Sequence, residues 1–210
     1  TLGSHALRAL VPSPDFTRVV AATADGDVHV LAYATEELPL EPVAEVSEVV
    51  VSGRVASFHT APVVNAAVLA LLSPHGPEGH DIVTCSTDGT LRCIDARTRL
   101  EVARVTTTSK TPPTAVAACA ASMLIALGTG DGVLRLYTRG LDATPLVRLG
   151  WKGVLGKAAV TSLAFAADGS HLAASCADGL CVLFALAAGA SEPTLATHFV
   201  VDAAPTSLAW

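Results

Sequence analysis

The densest set of potential ligands in this chain is His75-Gly76-Pro77-Glu78-Gly79-His80-Asp81. Two imidazoles and two carboxylates in so short a stretch are a donor set for a divalent metal. Glycine and proline separate them, so nothing local holds the ligands in place, and the sequence offers no second cluster to complete a site. The stretch reads as a polar loop. The five cysteines, Cys85, Cys93, Cys119, Cys176 and Cys181, form no C-x-x-C pair. Their odd number and spacing indicate neither a zinc site nor a disulfide framework. They read as small buried thiols of a reducing compartment, with Cys176 and Cys181 placed to face each other across a hairpin. Gly128-Thr129-Gly130-Asp131-Gly132 is glycine-rich but leads into a strand, so it lacks the helix N-terminus that would hold a phosphate. No G-x-S-x-G elbow, G-x-x-x-x-G-K loop or H-E-x-x-H pair occurs. No catalytic residue, cofactor or metal is assigned.

Composition narrows the remaining classes. The 210 residues are 51% hydrophobic but only 4% aromatic, so the core must be built from small side chains on many short elements. Charged residues make up 15%, the net charge is -6, and the 13 Lys and Arg are scattered. Direct nucleic-acid binding needs a concentrated basic face, and none is visible. The longest uncharged stretch runs from Thr111 to Gly130, and its apolar part, Ala115 to Leu127, is broken by Ser122. A bilayer span needs about 20 strongly apolar residues, so this stretch reads as buried strand and no membrane insertion is expected. The first residues have neither the basic nor the apolar region of a signal peptide, and there is no initiating Met. The expectation is a processed chain or a portion of a longer one, in the cytoplasm or associated with a cytoskeletal structure such as a cilium.

The elements that position these residues follow from an internal repeat. Asp-Gly pairs occur at Asp25-Gly26, Asp88-Gly89, Asp131-Gly132 and Asp178-Gly179, spaced by 63, 43 and 47 residues. A short apolar run precedes each pair, as in Ile82 to Ser86, and an alternating run follows, as in Leu91 to Ile94. An Asp-Gly pair between two such runs predicts a hairpin, because glycine accepts positive φ. Another strand lies upstream of each hairpin: Leu7 to Val11, Val63 to Val68, Thr114 to Ala120 and Val160 to Phe165. An outer strand follows, clearest in Leu100 to Val105; in the first repeat it falls at Glu48 to Val51 or Val55 to Phe58. Four strands per repeat of roughly 40–45 residues is the period of a propeller blade. The long first spacing implies an insertion.

This pattern resembles the WD40-repeat β-propeller family. The residues that carry the likeness are Ser86-Thr87-Asp88-Gly89-Thr90-Leu91-Arg92-Cys93-Ile94-Asp95, supported by Val160 to Gly169 and Ser13-Pro14-Asp15. The resemblance implies an all-β fold. It also implies a hydrogen-bonded tetrad of His, turn Asp, strand Ser or Thr, and Trp in each blade. The repeats are worn: Leu31, Ile94, Tyr137 and Phe184 stand at the Trp position, and only Asp95 keeps the Asp after it. The second repeat comes nearest, with His59, Ser86 and Asp88, while Asp25, Asp131 and Asp178 keep the turn carboxylate. These blades are therefore expected to rest more on packing than on polar networks.

The expected layout is blade 1 over about residues 4–58 with an acidic insertion at about 34–50, blade 2 over about 59–108, blade 3 over about 112–149 and blade 4 over about 156–200. Ala204-Pro205-Thr206-Ser207-Leu208-Ala209-Trp210 matches Ala159 to Phe165 almost residue for residue, so about 204–210 should begin a fifth blade. Propellers close radially to hide strand edges. The expectation is part of a longer propeller of six to eight blades, or an open one completed by a partner's strands.

Function is expected where the copies differ. The insertion holds Glu36, Glu37 and Glu41, either a solvated loop or a docking loop for a basic partner. Trp151 and Lys152 lie between Gly150 and Gly153, in what reads as the connection entering blade 4. The indole either folds over the blade edge or anchors a partner. His29, Arg92 and Arg135 each stand four residues after a turn Asp, as a structural ring or as a recognition surface for an acidic peptide. The upstream strands carry Leu7, Leu10, Val63, Ala66, Val160 and Leu163, which disfavours an enzyme with polar groups converging on a channel. The sequence supports a non-catalytic scaffold for other proteins or peptides within a larger assembly, of axonemal, nuclear-pore or trafficking type.

Overall fold

The computed structural model describes residues 6–12, 18–33, 49–55, 59–70, 80–96, 98, 100–139, 146–187 and 192–209. Their strands form four antiparallel four-stranded sheets, the blades of a β-propeller. The first contains β1 (Leu7–Pro12), β2 (Arg18–Thr23), β3 (Val28–Tyr33) and β4 (Val49–Val55). The second contains β5 (Val63–Ala70), β6 (His80–Ser86), β7 (Thr90–Asp95) and β8 (Glu101–Thr106). The third contains β9 (Pro113–Cys119), β10 (Leu124–Thr129), β11 (Val133–Thr138) and β12 (Val147–Val154). The fourth contains β13 (Val160–Phe165), β14 (His171–Cys176), β15 (Leu180–Ala185) and β16 (Thr194–Val200). In each sheet, strands adjacent in sequence are adjacent in space.

The turns are made as the Asp-Gly pairs require. Each turn glycine lies in the left-handed region, from φ 74° at Gly132 to φ 89° at Gly179. In each, the glycine N–H donates to the carbonyl three residues earlier, as from Gly89 to Ser86 at 3.1 Å. This is a turn closed by a left-handed glycine, which carries the right-handed twist into the next strand.

The blades stack face to face through side chains that alternate along the strands. Val20, Val28 and Val30 of the first blade meet Ile82 and Ile94 of the second. The opposite face of the second blade, with Val83, Cys85, Leu91 and Cys93, meets Ile125, Leu127 and Tyr137 of the third. The third then presents Ala126, Leu134 and Leu136 to Leu172, Val182 and Phe184 of the fourth. Strands buried on both sides read as continuous apolar runs. That explains the uncharged stretch from Thr111 to Gly130: it is β9, a turn through Met123 at φ 52°, and β10, which is buried along its whole length.

Three boundaries differ from the sequence reading. The outer strand of the first blade is Val49–Val55, which takes in most of the first segment expected for it and ends where the second begins. The outer strand of the third reaches Val154, five residues past the expected limit of that blade. Residues 201–209 form no strand and are joined to β13 by a hydrogen bond from Leu208 N–H to Ser162 Oγ at 2.9 Å. A first strand is paired by the second strand of its own blade, and no described strand pairs this segment.

Candidate protein-interaction site

The polar groups singled out from sequence gather at the turn end of the blades, most fully in the second. His59 lies just before β5, on the segment that enters the blade, and Asp88 lies in the β6–β7 turn. The Asp88 Oδ2 accepts from His59 Nδ1 at 3.0 Å. The other ring nitrogen, Nε2, lies 2.8 Å from Thr84 Oγ1 on β6. An ionised carboxylate only accepts, so Nδ1 carries the proton and Nε2 accepts from the Thr84 hydroxyl. Burial pushes the His59 pKa below its ordinary value, against the opposing pull of Asp88. The ring is therefore neutral at pH 7, as this tautomer requires.

Asp88 is the hub of the cluster. Burial opposes its ionisation and is the largest single influence, but hydrogen bonds from Thr90 and His59 outweigh it and hold the carboxyl below the usual range. Thr90 donates to Oδ1 from both its hydroxyl, at 2.6 Å, and its backbone N–H, at 2.9 Å. Arg92 on β7 extends the network: Nε donates to Thr90 Oγ1 at 3.0 Å, and Nη1 to Glu101 Oε2 on β8 at 2.7 Å. Every group in this chain has a partner inside the blade, so it fixes structure and offers no free nucleophile or base.

The hydroxyl that meets His59 belongs to Thr84, where the sequence pointed to Ser86. Ser86 ends its strand at the turn and is used there: it donates to the Ala61 carbonyl at 3.0 Å and accepts from Asp88 N–H at 3.2 Å. Thr84 is one pleat deeper on the same face and within reach of the far side of the ring.

The other blades keep shorter versions. In the third, Ser109 stands where His59 stands in the second, donating to Asp131 Oδ1 at 3.0 Å. The hydroxyl of Thr129 also donates to Asp131 and is the main reason its carboxyl lies below the usual range. In the first blade Asp25 is exposed, while Thr23 Oγ1 accepts from the backbone N–H of buried Asp27 at 3.2 Å. In the fourth, Asp178 is exposed and accepts from Leu180 N–H at 3.2 Å.

Arg92 and Arg135 are buried between the blades, at 7% exposure each, and His29 is buried, at 9%, on the face of the first blade opposite Val28 and Val30. Trp151 and Lys152 are on β12, not in a connection between blades. The glycines flanking them misled the sequence reading. Gly153 exists to make room for Trp151: a Cβ there would lie 2.6 Å from the indole Cη2. The half-buried ring meets Phe184 of the fourth blade edge to face, with centroids 5.4 Å apart at 82°. Lys152 is exposed. Cys176 and Cys181 do not face each other across the hairpin. Ser175 is the partner of Cys181, so the two thiols lie on opposite faces of the sheet. All five cysteines are free and buried.

One pairing escaped the sequence reading. Asp81, assigned there to a loop, lies in β6 and takes Arg139 Nε at 2.6 Å across the gap between the second and third blades. Burial pushes the Asp81 carboxyl up, partly offset by the guanidinium. The available signal was an acidic residue immediately before an apolar run. His80 opens the same strand, while residues 75–79 of that stretch, and Glu36, Glu37 and Glu41 of the insertion, lie outside the described residues. Among the described residues no group of three potential metal ligands occurs, and no helix is long and apolar enough to cross a membrane.

Comparison with known proteins agrees with this geometry. Residues 53–95 and 152–184 match the family model described as WD domain, G-beta repeat. These segments include the turns and flanking strands of the second and fourth blades. The chain is also 33% identical over 189 residues to Cilia- and flagella-associated protein 44 of Chlamydomonas reinhardtii, covering 87% of this chain and 10% of that protein. It thus spans about one tenth of the length of that relative. Four four-stranded blades, the His59–Asp88 pair at the blade turn and the two matched segments together give the chain the fold and repeat pattern of a WD40 β-propeller.

Proposed function

We propose that the chain is a non-catalytic scaffold that holds other proteins within a ciliary or flagellar assembly. The observation that carries this reading is the likeness, over 87% of the chain, to a protein named for its association with cilia and flagella. The geometry supports a scaffold over an enzyme. In the best-developed polar cluster His59 is neutral, with both ring nitrogens engaged, and Asp88 is held by internal donors. No reacting group is left poised there. The stacked blades instead give a rigid body with strand edges and turn surfaces open to partners. Exposed Lys152, the Arg135 position, and the acidic stretch with Glu36, Glu37 and Glu41 are our proposed contacts for such partners.

The reading is tested by tagging the full-length protein at its chromosomal locus in a flagellated cell. Detergent-extracted axonemes are then probed and the tagged complex is purified after mild crosslinking. Retention in the axonemal fraction with a reproducible set of structural proteins is expected. A protein confined to the cell body, or recovered alone after crosslinking, would defeat the proposal.

A further inference from the structure

Arg92 and Arg135 hold the same place in successive blades but have different surroundings. Around Arg92 the second blade places Thr90, Asp88 and Glu101. In the third blade Val133 stands where Thr90 stands, two residues after the turn Asp. Glu101 is the register partner of Ile94, six residues after the turn Asp, and the matching partner of Tyr137 is Arg148. A carboxylate has been exchanged for a second guanidinium. The turn carboxylate Asp131 is occupied by Thr129 and Ser109. As a result Arg135 Nε and Nη1 are buried without a hydrogen-bond partner among the described residues, in a residue only 7% exposed.

Two further cations surround it. Lys152 is the direct cross-strand partner of Arg135, and like charges placed opposite one another destabilise a sheet. Arg148 reaches across to Thr108, after the last strand of the second blade, and donates from Nη1 at 3.2 Å. Tyr137, which shares a strand face with Arg135, packs into the core between the second and third blades. Arg135 therefore faces that gap. Three cations converge there, and among the described residues none of them is in an ion pair.

We propose that the gap between the second and third blades receives a carboxylate side chain from an acidic segment of a partner protein, which completes Arg135 as Glu101 completes Arg92. Lys152 and Arg148 form its rim. The neighbouring blade shows which group this slot takes, since there the guanidinium meets a glutamate at 2.7 Å. A nucleic acid is disfavoured by the net charge of -6 over the whole chain. The proposal rests on the scaffold reading and specifies one of its contacts.

The test uses the 210-residue chain with arginine side chains labelled with nitrogen-15. The probes are a capped peptide of four Glu-Ala repeats, its Gln-Ala counterpart and inorganic phosphate. The Glu-Ala peptide is expected to move the Arg135 Nε–H resonance and the Gln-Ala peptide to leave it in place. Arg135→Gln should weaken binding roughly 10- to 100-fold, the range for losing a charge-assisted hydrogen bond. Should Arg135→Gln not fold, Lys152→Gln on the exposed rim must still weaken binding. An Arg135 resonance that ignores the Glu-Ala peptide overturns the proposal, as does an equal response to phosphate. If the peptide fails while the tagged protein still captures axonemal partners, the scaffold reading stands and only this receptor falls.

Discussion

The Nδ1 of His59 lies 3.0 Å from Oδ2 of Asp88, a bond that ties the segment entering the second blade to the turn between its middle strands. Both side chains are almost fully buried, at 0% and 6% exposure. Replacing His59 by Ala strands the Thr84 hydroxyl and removes one of the donors that hold Asp88. The expected loss is about 2–3 kcal/mol of unfolding free energy, the cost of leaving buried partners unsatisfied. Ser86→Ala, which leaves the imidazole bonds in place, should cost about 1 kcal/mol. Denaturant unfolding of the two variants checks the order. Equal losses would show that Ser86, and not Thr84, is the effective partner.

The same pair sets an acid dependence. The folded pKa of His59 lies below the ordinary imidazole value of 6.5. As pH falls through 6.5 the unfolded chain takes up a proton and the folded one does not. The unfolded state then binds more protons, so stability falls with falling pH. The folded pKa of Asp88 lies below 3.8, so its contribution is present above that value and is lost below it, as the folded carboxylate is finally protonated. Two windows result, one opening below 6.5 and one below 3.8. In the first, wild type should lose up to about 1.4 kcal/mol per pH unit more than His59→Asn. Melting temperatures of both proteins from pH 8 to pH 4 measure the difference. Parallel profiles would mean that the ring is not held neutral.

The repeat made most of this legible. An Asp-Gly pair between apolar runs encodes a turn and two strands locally, and four copies encode four blades. The partner of His59 was harder to read. Thr84 and Ser86 share a face of one strand, and only the depth of the ring decides between them. Trp151 was harder still. Glycines beside an aromatic residue read as a loop, whereas here Gly153 is a strand residue whose missing side chain admits the indole. The Asp81–Arg139 pair joins two blades across 58 residues of sequence, and no local pattern carries such information.

Arg92 and Arg135 should respond in opposite directions to the same substitution. Arg92→Leu leaves Asp88 without its guanidinium and Glu101 with only the exposed Arg104 at 3.7 Å, at a cost of about 3 kcal/mol, the low end for breaking a buried pair because Glu101 is 25% exposed. Arg135→Leu removes a guanidinium with two orphaned nitrogens and should be neutral or stabilising by about 1–3 kcal/mol, the penalty such groups carry. Thermal melts decide, since for a chain of this size each kcal/mol moves the midpoint by roughly 2–4 °C. Destabilisation of the Arg135 variant as large as that of the Arg92 variant would show that the third blade has an acceptor for it.

The contact between Gly153 and Trp151 predicts non-additive substitutions. A methyl group at 153 would fall within 2.6 Å of the indole. Gly153→Ala must therefore push the ring off Phe184 or bend β12, at a cost of about 1–3 kcal/mol for overpacking. Trp151→Leu loses the edge-to-face pair, worth about 0.5–1.5 kcal/mol beyond its buried area. In the double variant the added methyl occupies space that the indole has vacated. Its loss should then be smaller than the sum of the single losses by at least about 1 kcal/mol, as for residues in direct contact. Simple additivity in denaturant unfolding would mean that the indole does not lie over Gly153, and Trp151 would return to the list of residues free to anchor a partner.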